Sequence, residues 1–423
     1  MAESKWSGVR LALESRNYRL FVAGQLVSLV GTWTQSIAQT WLVYRLTGSA
    51  LWLGIATFCQ QAPVFLFATA GGLVADRHRR RSVLVVTQSA SMILAFVLAA
   101  LTLSGRVRVE HVLVLATLLG CINAVDGPTR QSFVIEMVGR DSLASAVAIN
   151  ASLFTGATVL GPAIAGVAIE ALGEGWCFVV NGVSFAAVIA GLVAMRGLPA
   201  PVAARTRESM RSRVLAGFRF AATEERVRAL LTLLAVTALL GIPSATLMPV
   251  FASTILRGDA RTFGGLMGAQ GGGALVAGLV LASRRGTDGT YRWIAGACGT
   301  LGVTLVLFAL SHALWLSLAI SVLLGAATMV QVSATNALIQ VLTPDALRGR
   351  VMAIFAMIVS FFSPVGSVVS GAVATVVDPR LPLVVGGIAC AIAGVGFGRW
   401  ARGPRLALDG SASLASHSPR ATE

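Results

Sequence analysis

The chain has 423 residues, of which 56% are hydrophobic and only 12% charged, and its mean hydropathy is +0.79. Those values exclude a soluble globular protein and point to a polytopic helical membrane protein. The net charge of +15 does not indicate nucleic acid, because the arginines fall in short segments between apolar runs and form no basic patch interleaved with aromatics.

Lys5 is the only lysine. A Walker A loop needs a lysine on the nucleotide phosphates after a glycine-rich turn, so the chain carries no P-loop ATPase of its own. His78, His111, His312 and His417 have no metal-ligand spacing. Cys59, Cys121, Cys177, Cys298 and Cys390 all lie inside apolar runs, as small core residues do. No catalytic set, metal site or cofactor is expected, and the chain is not read as an enzyme. The charged first residues lead into an apolar run long enough to be a span, so no cleavable leader is expected.

Taking about 20 apolar residues as the length that crosses the hydrocarbon, about twelve spans follow in order. They centre near residues 31, 61, 93, 122, 156, 185, 240, 272, 301, 325, 361 and 389. The first carries Gln25, Ser28, Thr32, Gln35, Ser36 and Gln39 along one broad face, with Trp33, Trp41 and Tyr44 close by. A polar face on a span points away from lipid, so it lines a pathway or buries against a neighbour. Gln61, Asn123, Asn150 and Gln331, with Gln60 and Gln270, extend such a lining. The alternative for each is hydrogen bonding between helices.

Between runs 51–71 and 82–103 lies Gly72-Leu73-Val74-Ala75-Asp76-Arg77-His78-Arg79-Arg80-Arg81. Each arginine costs about 2.5–3.5 kcal/mol at a helix centre on insertion scales, so this is a short loop held outside the hydrocarbon. Gly72 permits a close approach of helix ends, and Asp76 suits the positive end of a neighbouring helix. The alternative is topological anchoring alone.

In the fourth span, Asp126 and Arg130 lie four residues apart on one face. Ionisable groups at membrane depth face a cavity or each other and mark substrate or proton routes. Two readings stay open: a proton-carrying carboxylate, or a standing intrahelical ion pair. The fifth span contains Gly161, Pro162 and Gly166, small residues that allow close helix packing around a proline bend.

Residues 196–228 form the longest segment that does not span. Met210, Val214, Leu215, Phe218 and Ala222 recur there at helical spacing among Arg207, Arg211, Arg219 and Arg226, as in a basic amphipathic helix on a membrane surface. The flanking halves repeat each other. Leu118-Leu119-Gly120 followed by Val125 matches Leu323-Leu324-Gly325 followed by Val330. Asp141-Ser142-Leu143 matches Asp345-Ala346-Leu347, and Gly161-Pro162 matches Ser363-Pro364. The expected organisation is an N-terminal six-helix bundle (1–196), a linker (197–227), a C-terminal six-helix bundle (228–402) and a disordered tail (403–423). The fold class is an all-α membrane protein of two pseudo-symmetric bundles around a central pathway. Asp126 and Arg130 have the uncharged Gln331 and Thr335 as repeat counterparts.

With both termini inside, Arg10, Arg16, Arg19, Arg77–Arg81, Arg140, Arg284, Arg285, Arg292, Arg348 and Arg350 gather on one side. The other side receives Arg45, Arg106, Arg108, Arg257, Arg261 and Arg380. The positive-inside rule then places the termini in the cytoplasm and the chain in the inner or plasma membrane.

On these motifs the chain resembles a major facilitator superfamily transporter over nearly its whole length. Gly72, Asp76, Arg77 and Arg80 fall on that superfamily's signature loop, with Arg79 where a second glycine is usual. Three passages resemble the branch of enterobactin exporters and macrolide efflux proteins: Arg16-Asn17-Tyr18-Arg19-Leu20-Phe21, Tyr44-Arg45-Leu46-Thr47-Gly48-Ser49 and Pro128-Thr129-Arg130-Gln131. The resemblance implies that Asp76 meets the eleventh helix near Arg350. It also implies that Arg80 reaches Glu136, so that the three form a cytoplasmic latch. Gly161, Pro162 and Gly166 resemble the antiporter motif, which implies export in exchange for protons. The expected cargo is an amphipathic small molecule such as a siderophore or a drug, carried by a monomer. The alternatives are an importer or facilitator of the same fold, or a membrane scaffold or sensor that no longer transports.

Overall fold

The computed structural model describes residues 14–138, 142–196, 210–284 and 289–402. The described residues are helical, with no strand among them. The elements are α1 (Arg16–Thr47), α2 (Ala50–Arg77), α3 (Arg80–Leu103), α4 (Val109–Val138), α5 (Leu143–Leu172), α6 (Glu174–Ala194), α7 (Met210–Thr223), α8 (Glu225–Ile255), α9 (Ala260–Ser283), α10 (Thr290–Leu310), α11 (Leu314–Leu342), α12 (Asp345–Val376) and α13 (Arg380–Trp400). Ten of these are long and apolar enough to cross a membrane. The polar-faced α1 and the small-residue-rich α5 complete the expected set of twelve, and α7 is the short linker helix.

Local chemistry sets the ends. Ser15 caps α1 by accepting the Tyr18 backbone N–H, and Gly48 closes it in the left-handed region at φ 60°. Asp259 caps α9 by accepting the Thr262 N–H at 3.0 Å. The α8 segment is interrupted by π-turns at Thr237–Gly241 and Phe251–Ile255 around Pro243 and Pro249, which displace the regular hydrogen-bond ladder.

Contacts between helix termini define two ends of the molecule. At the Arg80 end, Asn17 donates to the Arg196 carbonyl at 2.8 Å, Tyr18 Oη to the Ala146 carbonyl at 3.0 Å, and Trp400 Nε1 to Glu225 at 2.9 Å. The Arg16–Phe21 passage therefore serves as the closure of the N-terminal bundle. Its buried Tyr18 and Phe21 pack with Leu84, Phe133 and Leu192. At the Thr47 end, Arg45 pairs with Glu174 at 2.7 Å and Gly175 sits on Leu103.

Glycine controls how closely the helices cross. A Cβ on Gly120 would meet the Gln60 carbonyl of α2, and one on Gly325 would meet the Gln270 carbonyl of α9. The two matched glycines of the sequence repeat thus make equivalent crossings in the two bundles. The stretch expected as a loop from Gly72 continues α2 as helix to Arg77, leaving only His78 and Arg79 between α2 and α3, and the close approach expected at Gly72 is made one residue earlier. A Cβ on Gly71 would strike the Ala124 backbone, whereas one on Gly72 would meet nothing within 4 Å. Gly71 lies on the face of α2 that is turned to α4, and one residue further along the helix rotates Gly72 off it.

The linker helix α7 docks through small residues. Gly217 rests on Arg350 of α12 and Ala221 is buried, while Phe218 and Ala222 remain exposed. Helix α8 begins at Glu225, slightly before the boundary expected at 228. The side chains of Met210, Val214 and Leu215, the tail expected at 403–423, and residues 1–13 and 197–209 lie outside what is described.

Candidate functional site

The charged centre of the N-terminal bundle is built on α4. Asp126 is 3% exposed. Its carboxylate accepts Thr87 Oγ1 at 2.7 Å and Gln88 Nε2 at 2.8 Å, both from α3, and pairs with Arg130 one turn along. Arg130 also donates to Gln25 Oε1 of α1 at 2.8 Å. Three donors around a buried carboxylate offset the cost of removing it from water. Spacing alone indicated the Asp126–Arg130 pair; Thr87, Gln88 and Gln25 join it only through packing of three helices.

Nearer the middle of α1, Asn181 of α6 donates to Gln35 at 2.7 Å, and Ser184 donates to Asn181 Oδ1 at 3.0 Å. Gln39 is also buried. Gln35 is thus tied to a neighbouring helix through an asparagine that sequence inspection did not single out. Gln61 and Asn123 are exposed and Asn150 half-buried. In the C-terminal bundle Gln331 and Thr335 are wholly buried. Neither amide atom of Gln331, nor the Thr335 hydroxyl, has a hydrogen-bond partner among the described residues.

At the Arg80 end, Arg80 pairs with Glu136, with both side chains mostly buried. This joins the start of α3 to the end of α4, as the resemblance implied. Arg77 is exposed. The Asp76 side chain lies outside what is described.

The seam between the bundles is formed by α2 against α12 and α5 against α9. Gly166 lies face to face with Gly264, where a Cβ on Gly166 would come 3.0 Å from the opposing Cα. A Cβ on Gly161 would strike Trp33 of α1, and the Gly161 carbonyl accepts Thr34 Oγ1 at 3.4 Å. The Gly161-Pro162-Gly166 run therefore joins α5 to its own bundle on one face and to the other bundle on another.

Towards the Thr47 end, polar and aromatic contacts cross the same seam. Ser253 donates to Tyr44 Oη at 2.7 Å, and the Leu51 N–H donates to Thr375 Oγ1 at 3.0 Å. Arg261 pairs with Glu170 at 2.7 Å, and Trp41 stacks on Phe263 with ring centroids 6.0 Å apart. Tyr44 of the Tyr44–Ser49 passage supplies one of these contacts and Ser49, whose hydroxyl lies 3.3 Å from Thr375 Oγ1, adds another, which gives that motif a physical role. Glu170 and Glu174, one turn apart around the α5–α6 turn, were not anticipated. The available signal was two carboxylates at the end that also holds Arg45 and Arg261.

Ten apolar spans together with α1 and α5, in two repeated bundles with a buried ion pair inside one span and a glycine-lined seam, fit a membrane transporter of the major facilitator type. The chain belongs to the transmembrane secretion effector family, whose pattern matches residues 8–420. It is 26% identical over 373 residues to the multidrug efflux pump Tap of Mycolicibacterium fortuitum, covering 84% of this chain and 88% of that one. It is 25% identical over 264 residues to the staphyloferrin A transporter of Staphylococcus aureus (strain NCTC 8325 / PS 47), covering 62% of this chain. That match spans 66% of the staphyloferrin transporter, just under two thirds of its length. Among solved structures, a bacterial homologue of the human lysosomal transporter Spinster, in an inward-facing, unoccupied conformation, superposes with a TM-score of 0.73. The identity is 14%, covering 92% of this chain and 97% of that chain. The nucleoside transporter NupG superposes with a TM-score of 0.68 at 15% identity, covering 93% and 99%. These likenesses show the shared fold.

Proposed function

We propose that the protein exports an amphipathic small molecule, a siderophore or a drug, across the cytoplasmic membrane. The two bundles alternate access about the α2–α12 and α5–α9 seam, with protons supplying the driving force. The Arg80 end faces the cytoplasm, following the arginine bias. The observation that carries the reading is the set of cross-seam contacts at the Thr47 end. Tyr44–Ser253, Trp41–Phe263 and Glu170–Arg261 hold that end closed, as expected of a state awaiting cargo from the cytoplasm. Each is a small contact that a rigid-body rocking of the bundles can break.

In this reading Arg80 and Glu136 tie α3 to α4 at the cytoplasmic end. Asp76, Gly72 and Arg77 belong to the same latch when that end closes. Asp126 carries the proton, and Arg130 and Gln25 reset it. Gln35, Gln39, Gln61, Asn123, Asn150 and Gln331 supply the polar lining. The glycines of α5 let the seam pivot. The transporter works as a monomer.

A second reading, a facilitator or importer of the same fold, draws support from the full set of partners on Asp126. A carboxylate engaged by three partners within its own bundle serves as a standing structural pair.

The experiment that separates them measures internal pH in proteoliposomes under an imposed proton gradient while siderophores and drugs are added. Substrate-dependent proton flux that disappears in Asp126→Asn supports antiport. Substrate movement without proton flux supports the facilitator, and movement of neither overturns transport of the compounds tried.

A further inference from the structure

One partner of Asp126 has two acceptors for a single proton. Thr87 Oγ1 lies 2.7 Å from Asp126 Oδ1 and 3.1 Å from the Leu84 carbonyl oxygen of the same helix, α3. A threonine hydroxyl carries one proton and two lone pairs, and it rotates to suit its surroundings. Pointed at Oδ1, the hydroxyl donates to the carboxylate. Pointed at the Leu84 carbonyl, the same oxygen presents a lone pair to Oδ1 across the same short distance. No side chain or backbone has to move between the two arrangements.

The remaining contacts fit both. Arg130 is the one charged group in contact with Asp126 among the described residues, and it approaches Oδ2 rather than Oδ1. It also donates to Gln25 Oε1 of α1, so it keeps both acceptors whether or not Oδ1 bears a proton. Gln88 donates through Nε2 to Oδ1 at 2.8 Å, and the hydroxyl oxygen of a carboxylic acid still has a lone pair for that donor. Helix α2 meets this part of α4 through Gly71 at Ala124, without a charge. Towards the end of the bundle, Arg80 and Glu136 pair with each other. Asp126, Thr87 and Gln88 are all buried, so the acceptor for an Oδ1–H has to come from the protein.

We propose that Thr87 is the positioning residue for the transported proton and switches from donor to acceptor when Asp126 takes it up. The arriving proton forms one O–H bond, at Oδ1. The Thr87 hydroxyl turns its own proton to the Leu84 carbonyl, and Oγ1 accepts the new Oδ1–H. Release is the reverse, with Arg130 on Oδ2 throughout. This inference rests on the reading of Asp126 as the proton carrier. It also explains how a carboxylate with a full set of partners changes its protonation state without leaving a buried donor unpaired.

The test is infrared difference spectroscopy, acid minus neutral, on the full-length protein in lipid bilayers. A carboxylic acid whose O–H is hydrogen-bonded absorbs at lower wavenumber in its C=O stretch than one whose O–H is free. The expected result is a protonated-carboxyl band that is lost in Asp126→Asn and in the better-folded Asp126→Asn/Arg130→Gln. That band should move to higher wavenumber in Thr87→Val and stay at the wild-type position in Thr87→Ser. A hydroxyl that only donates to the anion leaves the band of the neutral acid in place. An Asp126 band unmoved in Thr87→Val therefore overturns the proposal while the proton-carrier reading stands. Equal shifts in Thr87→Val and Thr87→Ser also overturn it, because packing rather than the hydroxyl would then be responsible. A shift confined to Gln88→Leu gives the acceptor role to Gln88 instead. Absence of any band that depends on Asp126 removes the proton-carrier reading and this inference with it.

Discussion

Arg261, at the start of α9, pairs with Glu170, at the end of α5, and the 2.7 Å contact crosses the seam between the two bundles. Its side chains are 64% and 42% exposed, so the pair contributes at most about 1 kcal/mol, equivalent to roughly a fivefold change in a two-state population. Glu170→Gln should therefore raise the population open at the Thr47 end by no more than about fivefold. Electron-spin distances between labels at Ser104 and Leu314, one on each bundle, would read this. The exchanged pair Glu170→Arg/Arg261→Glu should restore the original distribution; failure to do so removes this contact from the gate.

The Gly166–Gly264 crossing admits no side chain. Gly264→Ala forces a Cβ into the opposing backbone and should cost about 1–3 kcal/mol through overpacking, with loss of transport. Gly272→Ala, on the same helix, meets nothing within 4 Å and should be tolerated. Thermal melting and uptake assays on the two variants provide the comparison. Equal effects would mean that helix propensity, not the crossing, governs both.

Asp126→Asn leaves Arg130 without its buried carboxylate. Breaking such pairs costs about 3–5 kcal/mol when both partners are buried, and Arg130 is one-third exposed, so the lower end applies. Membrane expression should fall, and Asp126→Asn/Arg130→Gln should recover it. Recovery of folding without proton-coupled transport would separate the structural role of Asp126 from the proposed proton-carrying one.

Arg80→Gln should leave Glu136 unpaired at the end of α4 and slow transport while the protein still reaches the membrane. Exchanging the two charges, Arg80→Glu/Glu136→Arg, should recover part of the rate. Normal transport in Arg80→Gln would show that the pair merely anchors the loop.

The Thr262 N–H holds the Asp259 carboxyl below its usual range. A depressed folded-state value means that the cap's contribution is complete above the unfolded value of about 4. It is lost as pH falls through the lower folded value. The first turn of α9 should then exchange its amides faster in wild type below about pH 4 than in Asp259→Asn, which caps without titrating. Hydrogen exchange across the 260–266 peptide, corrected for intrinsic rates, measures this. Parallel behaviour of the two proteins would contradict it.

Much of this molecule was legible in one dimension because membrane insertion and helix pairing along one face are local properties. Span length and the Asp126–Arg130 spacing follow from runs of a few dozen residues or fewer, and the matched glycines at 120 and 325 from laying one half of the chain on the other. The Arg80–Glu136 pair came from family resemblance, since nothing in their spacing joins residues on different helices. Tertiary packing decided the rest. It placed Gly71 rather than Gly72 against α4, because a single residue turns a side chain about a quarter of the way round a helix. It surrounded Asp126 with Thr87, Gln88 and, through Arg130, Gln25, while Gln331 and Thr335, at the matching place in the other bundle, are buried without hydrogen-bond partners among the described residues. It also brought Glu170 to Arg261 and Tyr44 to Ser253 across long stretches of chain. Those contacts depend on how two bundles rest against each other, and no periodicity within either bundle encodes that arrangement.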